Sequence, residues 1–121
     1  MPKPTTYSGP RVLPEIAAQA FRHARVLPAT RTYLCRDEDD RECGCLLAVL
    51  AMQRARLGFD NLAARLLEGH PTTILARLAK LPVAYARGLT AGFDLCPWTS
   101  GEVAHDAGLI DGRACRRQLV A

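Results

Sequence analysis

The chain has 121 residues, of which 49% are hydrophobic and 23% are charged, and its formal net charge is +4 at pH 7. This composition excludes a disordered chain, and the length fits one domain that folds without needing disulfides or metal. No segment has the roughly 18 consecutive apolar residues of a membrane-spanning helix, and no apolar region follows the early lysine as in a signal peptide. We therefore expect a cytoplasmic protein.

The positive charge comes almost entirely from arginine, because Lys3 and Lys80 are the only lysines. Five of the 12 acids lie in DEDDRE, residues 37–42, which we interpret as a solvated turn. The remaining chain is therefore strongly basic. Arginine binds phosphate and carboxylate groups with two parallel hydrogen bonds, so this balance suits a polyanionic partner. A GC-rich genome would produce the same arginine bias.

Residues 1–12 contain three prolines and a glycine, which predicts an extended N-terminal arm without chemistry of its own. Residues 13–121 are predicted to form a single helical domain. Pro14 suits the first turn of a helix, and Pro28 ends it. The exposed face of this helix is expected to present Arg22 and Arg25, with His23 beside them.

A short β-hairpin is predicted next, with strands at residues 32–35 and 42–45 joined by the acidic loop. It leads into CGCLLAVLAM, residues 43–52, the most apolar segment of the chain and the expected central helix, with Gly58 as its C-terminal stop. Further helices are expected over residues 60–67, 72–81 and 82–93, and Thr99 with Glu102 matches the capping box of a last one. The predicted fold is mainly α: a compact bundle of five or six short helices with one small β-hairpin.

A G-L-x-x-G pattern occurs twice, at residues 88–92 and 108–112, and a cysteine follows each copy. This spacing places two glycines on one face of a helix, where another backbone can approach closely. Chance similarity in a chain rich in alanine and glycine is the competing explanation.

Five cysteines suit free thiols in a reducing compartment better than a disulfide framework. The hairpin would bring Cys35, Cys43 and Cys45 together as weak candidate ligands of a zinc ion. A fourth ligand could come from one of the residues His23, His70, His105, Cys96 and Cys115. Structural zinc sites use C-x2–4-C pairs, whereas these residues follow C-x7-C-x-C, so we favour free thiols and no cofactor. The three histidines have no adjacent catalytic partner, so we predict a protein that is not an enzyme.

Residues 99–121 resemble the helix-turn-helix pattern of small transcription regulators: a capped helix, Gly108 at the turn, and a second helix that presents Arg113, Arg116 and Arg117. The resemblance implies that these arginines contact phosphates and guanine edges of DNA. A weaker pattern of the same kind covers residues 72–89. A third resemblance, in the order of hairpin, apolar helix and Tyr-x-x-Gly helix, is to small uncharacterised bacterial and phage proteins and implies no function.

One continuous helix explains residues 99–121 equally well, because Val103, Ala107, Ile110 and Ala114 form an uninterrupted apolar stripe. We slightly prefer this interpretation, since it needs no insertion at the turn. The leading hypothesis is a small regulatory or accessory protein that binds nucleic acid through the three C-terminal arginines, helped by Arg22 and Arg25. The alternative is a protein-interaction or adaptor domain, whose last helix packs on a partner or a second copy through Gly108 and Gly112.

Overall fold

The computed structural model describes residues 6–119 and shows six helices with a small mixed sheet. In chain order these are α1 (Pro14–Ala24), β1 (Leu27–Pro28), β2 (Leu34–Arg36), β3 (Glu42–Gly44), α2 (Leu46–Ala55), α3 (Phe59–Leu66), α4 (Pro71–Ala79), α5 (Val83–Phe93) and α6 (Val103–Leu119). The predicted mainly α class with a small β-hairpin is confirmed. None of the six helices combines the length and the hydropathy that a bilayer crossing requires.

Helix α2 lies at the centre of the core, as its sequence predicts. Every side chain from Leu46 to Met52 is buried, so the helix has no polar face over this stretch. Helices α1, α4 and α5 pack around it. A helix that is apolar on all sides is stable only when it is enclosed in this way.

The sheet has the order β1-β3-β2, in which β2 and β3 form the predicted hairpin. The strand β1 was not predicted. We expected the first helix to continue to Leu27, but it ends at Ala24 because Arg25 adopts a left-handed conformation with φ 56°. Leu27 then pairs in parallel with Cys43, so the hairpin gains a third strand.

Helices α5 and α6 run parallel to each other, and the two G-L-x-x-G segments pack together at their interface. A Cβ atom at Gly108 would overlap the carbonyl oxygen of Tyr85, and one at Gly112 would overlap that of Leu89. Gly88 and Gly92 face the backbone of α6 in the same way. The repeated pattern therefore has a structural role: only glycine allows the two backbones to approach this closely.

The helix-turn-helix interpretation of residues 99–121 is wrong. Gly108 lies inside α6, which continues without a break to Leu119, and its missing side chain serves the packing on α5 rather than a turn. The predicted capping box is wrong as well, because the helix begins at Val103, four residues after Thr99. Residues 120–121 lie outside the described part of the chain, as do residues 1–5 of the predicted N-terminal arm.

The carboxylate of Asp106 holds the start of α6 instead. Its oxygens accept hydrogen bonds from the amides of Ser100 and Gly101, at 2.9 and 3.1 Å. These hydrogen bonds lower the pKa of Asp106 from its ordinary value, and the bond from the amide of Ser100 has the largest effect. A carboxylate in the first turn also interacts favourably with the positive end of the helix dipole.

The ends of helices α2 to α5 differ from prediction by only a few residues. Gly58 precedes α3 as its N-cap, while Arg56 in a left-handed conformation ends α2. Helix α4 begins at Pro71, one residue before the predicted start at residue 72. The helix pair α4 and α5 meets at residues 80–82, where Lys80 is left-handed and Pro82 precedes α5.

Candidate nucleic-acid interface

The five predicted nucleic-acid-binding arginines lie near the C-terminal ends of two helices that pack together. Arg22 is in the last turn of α1 and Arg25 follows it, and both are exposed. They line an apolar groove of about 480 Å³ together with Leu119, the last residue of α6. The groove therefore joins the two α1 arginines to the end of the helix that carries the other three. These are Arg113, Arg116 and Arg117, and we call the whole set the arginine surface.

Two of these guanidinium groups also support the end of α5. Arg113 donates to the carbonyl oxygen of Cys96 at 2.6 Å, and Arg116 donates to that of Phe93 at 2.8 Å. The guanidinium carbon of Arg116 lies 6.0 Å from the centre of the Phe93 ring. Carbonyl groups at the end of a helix lack intrahelical donors, so Arg116 supplies a donor to the last residue of α5, while Arg113 holds the segment that follows the helix. Arg113 and Arg116 are consequently held in place before any ligand binds.

No member of the arginine surface forms a salt bridge within residues 6–119. The acids of the loop pair with other arginines: Arg36 pairs with Asp40 and Glu42, and Arg41 pairs with Asp37 and Asp39. Four of the five acids in the loop therefore have a cation nearby.

A buried polar cluster that the sequence analysis missed fixes the N-terminal arm to the α5–α6 pair. Asp111 accepts two hydrogen bonds from the Arg11 guanidinium, both 2.9 Å, and one of 2.6 Å from the Tyr85 hydroxyl. That hydroxyl also accepts from the amide of Val12 at 2.7 Å, and the ring of Tyr7 stacks on the Tyr85 ring with centres 4.9 Å apart. The cluster thus ties residues 7–12 to α5 and α6.

The geometry gives this cluster a structural role. Burial, together with the hydrogen bond to Asp111, raises the pKa of Tyr85, so its hydroxyl remains protonated and donates to the carboxylate. Asp111 is 5% exposed, and its partners satisfy it from both sides. Two features of the sequence could have indicated the pair: an acid next to the apolar stripe of the last helix, and an isolated arginine in a proline-rich arm.

The three candidate zinc ligands do not converge. Cys35 and Cys43 face each other across the hairpin, but the sulfur of Cys45 accepts from the amide of Ala48 at the start of α2. Residues 6–119 contain no group of three histidine, cysteine or acidic side chains that could hold a metal ion. Burial raises the pKa of Cys45 to about 12, so its thiol stays protonated at neutral pH.

The cysteines and histidines do not form a catalytic pair in the described chain. Among the hydrogen bonds of residues 6–119, none joins a cysteine to a histidine, and Cys115 is buried with a pKa raised to about 12. His23 is exposed and lines a cleft of about 340 Å³ with Glu42 and Arg56. This arrangement gives no support to thiol-based catalysis.

No protein-family model, curated protein or solved structure matches the chain. Its function therefore has to be inferred from the arrangement of its own residues.

Proposed function

We propose that the chain is a small, non-enzymatic, cytoplasmic regulatory or accessory protein that binds nucleic acid through the arginine surface. One observation carries the proposal: the five arginines, which lie in or beside the C-terminal parts of α1 and α6, have no acidic partner within residues 6–119. Their charge is therefore available to an external anion. The phosphate backbone of nucleic acid is a polyanion that proteins bind with arginine and lysine side chains.

The binding mode that fits this surface is contact with phosphates. Arg113 and Arg116 each use a donor on a carbonyl group of the chain, yet each guanidinium has five N–H donors and keeps its full charge. Because these two side chains are already ordered, they lose less rotational freedom on binding than a free arginine would. Since α6 is one helix packed against α5, we expect little preference for DNA sequence.

The test is fluorescence anisotropy with a labelled duplex of random sequence, measured at 50 and 200 mM salt. If all five arginines contact phosphates, affinity falls about 500-fold over this range, because the logarithm of the binding constant changes by roughly −0.9 per contact per log unit of salt. A variant with Arg22, Arg25 and Arg117 changed to glutamine retains two contacts. Its affinity is expected to fall only about 10-fold over the same range.

The matched control changes the same number of exposed arginines elsewhere: Arg56, Arg77 and Arg87 to glutamine. It lowers the net charge equally but leaves the arginine surface intact. Its salt dependence is expected to stay within about twofold of the wild type. Equal losses in both variants would show that net charge alone drives binding. No binding of the wild type at 50 mM salt would exclude the proposal.

A protein-interaction domain is the second candidate, but the glycines cannot provide its surface. Gly108 and Gly112 are covered by α5 of the same chain. The connection between α5 and α6 offers another surface, since Trp98 is 74% exposed and Leu95 is 54% exposed. Exposed tryptophan is enriched at sites that dominate binding energy. Where the partner is a second copy of the chain, the mass measured by light scattering should rise with concentration. In the Trp98→Ala variant the mass should no longer depend on concentration.

A further inference from the structure

Cys35 and Cys43 lie directly opposite each other on the antiparallel strands β2 and β3. The amide of Asp37 donates to the carbonyl oxygen of Arg41 two residues further along the same ladder. Hydrogen-bonded pairs recur at every second residue of such a ladder, so the cysteine pair occupies a hydrogen-bonded position. Residues that are directly opposite place their side chains on the same face of the sheet. The two thiols are therefore neighbours.

The two thiols differ in their access to solvent. Cys43 is 7% exposed, and its thiol donates to the carbonyl oxygen of Arg41 at 3.4 Å. Burial, and then the neighbouring Cys35 thiol, raise the pKa of Cys43, so it stays protonated at neutral pH. Cys35 is only half-buried, so it is the more exposed residue of the two.

We infer that Cys35 and Cys43 are the site of a reversible disulfide, formed by exchange with a low-molecular-weight disulfide such as oxidised glutathione. The thiolate of Cys35 attacks one glutathione sulfur, and the other glutathione leaves as a thiolate that takes up a proton. Cys43 then loses its proton to water and attacks the Cys35 sulfur, which releases the second glutathione. Two protein thiols are oxidised, and one glutathione disulfide is reduced to two thiols.

The position in the ladder also predicts that this disulfide is easily reduced. Cβ atoms of hydrogen-bonded pairs lie near the upper end of a range of about 4.5–5.5 Å, whereas a disulfide requires about 3.5–4.5 Å. The strands must therefore move closer by roughly 1 Å to form the bond. A strained, partly exposed disulfide has a higher reduction potential than an unstrained structural one, so reduced glutathione should reopen it.

The remaining cysteines do not offer an equivalent pair. Cys45 and Cys115 are buried and hydrogen-bonded to backbone groups. Cys96 is half-buried like Cys35, but it follows α5 and lies outside the hairpin. Cys96 is therefore a matched control: it is exposed to a similar degree as Cys35, but it has no cross-strand partner in the hairpin. The disulfide does not depend on nucleic-acid binding, because none of its residues belongs to the arginine surface.

The experiment equilibrates the full chain in glutathione buffers of increasing oxidised fraction, quenches it with acid, and alkylates the remaining thiols under denaturing conditions for intact-mass analysis. Oxidation is expected to remove two of the five alkylatable thiols, and excess reduced glutathione to restore them. Trypsin cleaves after Arg36 and Arg41, so the Cys35 peptide separates from residues 42–54, which carry both Cys43 and Cys45, unless a disulfide joins them. Fragmentation of the linked peptides must place the bond on Cys43. A linked peptide pair that disappears on reduction supports the inference.

Three variants separate this pair from general thiol oxidation. Cys96→Ser is expected to lose the same two thiols as the wild type, whereas Cys35→Ser should keep all of its remaining thiols alkylatable. Cys43→Ser should retain a glutathione adduct on Cys35, because the thiol that would displace it is missing. Five alkylatable thiols in the oxidised wild type, or a linked peptide that contains Cys96, would overturn the inference. Fragmentation of the linked wild-type peptides decides between Cys43 and Cys45 even if a variant fails to fold.

Discussion

Replacing Gly112 with alanine tests the parallel packing of α5 on α6 directly. The new Cβ atom would overlap the carbonyl oxygen of Leu89 and would lie 2.8 Å from the amide nitrogen of Phe93. Both obstacles are backbone atoms of a helix, so neither can rotate away as a side chain could. The two helices must therefore separate to accommodate one methyl group.

The expected loss of stability follows from two opposing effects. Overpacking of a well-packed interface costs about 1–3 kcal/mol, and we take the upper end because the clash is with backbone. Alanine in place of glycine inside a helix contributes about 1 kcal/mol in the opposite direction. The net destabilisation of Gly112→Ala is therefore about 2 kcal/mol. This is a large fraction of the roughly 5–15 kcal/mol that stabilises a typical domain.

Urea unfolding followed by circular dichroism measures this loss as a lower midpoint with an unchanged slope. Gly69→Ala is the matched control, because its Cβ atom would meet only the side chain of Ile74, at an ordinary 3.6 Å. It should leave the free energy of unfolding unchanged or raise it slightly. Gly112→Ala as stable as the wild type would refute the close approach of α5 and α6.

The double variant with Gly108→Ala gives a second test of the same interface. A Cβ atom at Gly108 would overlap the carbonyl oxygen of Tyr85, one turn away on the same contact. Separation of the helices for one methyl group also makes room for the other. The double variant should therefore lose less stability than the sum of the single variants, whereas independent sites would be additive.

Three other predictions concern the remaining supports of the fold. Tyr85→Phe should lower the free energy of unfolding by about 1–3 kcal/mol, because it removes a buried donor from Asp111. Urea unfolding that matches the wild type would show that the cluster does not hold the arm. Arg56→Gly should raise the thermal midpoint by a few degrees. Arg56 has φ 56° at the end of α2, a conformation that costs about 1 kcal/mol for residues other than glycine. A lower midpoint would contradict this prediction. The hydrogen bond from the amide of Ser100 holds the pKa of Asp106 below its ordinary value. The stability that ionised Asp106 gives the fold is therefore fully present above the unfolded-state pKa, and it is lost as pH falls through the folded-state pKa. Asp106→Asn should therefore reduce the difference in thermal midpoint between pH 7 and pH 3, and an unchanged difference would be inconsistent with this cap.

The elements that follow from local patterns were predictable. The apolar run of α2, proline at the start of α1 and the two strands around the acidic loop each have one favoured structure in a short window of sequence. The strand β1 was missed because only its pairing identifies it as a strand, and the partner of Leu27 is Cys43, which lies 16 residues further along the chain. A parallel pairing of two residues leaves no periodic pattern to detect.

The buried cluster was missed for a similar reason. Arg11 and Asp111 are separated by 100 residues, and each has an ordinary local explanation, one in a polar arm and the other in a helix. The glycine pattern was recognised, but its partner was not, because G-L-x-x-G is equally compatible with a second copy and with another helix of the same chain. Only the parallel course of α5 and α6 distinguishes these possibilities.

The two roles of Arg113 and Arg116 can be separated by the choice of substitution. Both side chains donate to carbonyl groups at or beyond the end of α5, so alanine would remove a structural contact together with a charge. Glutamine retains an N–H donor but has no charge. If these arginines act on nucleic acid as cations, glutamine should weaken binding about as much as alanine while preserving more stability. A loss of binding that instead tracks the loss of stability would assign both residues to the fold alone.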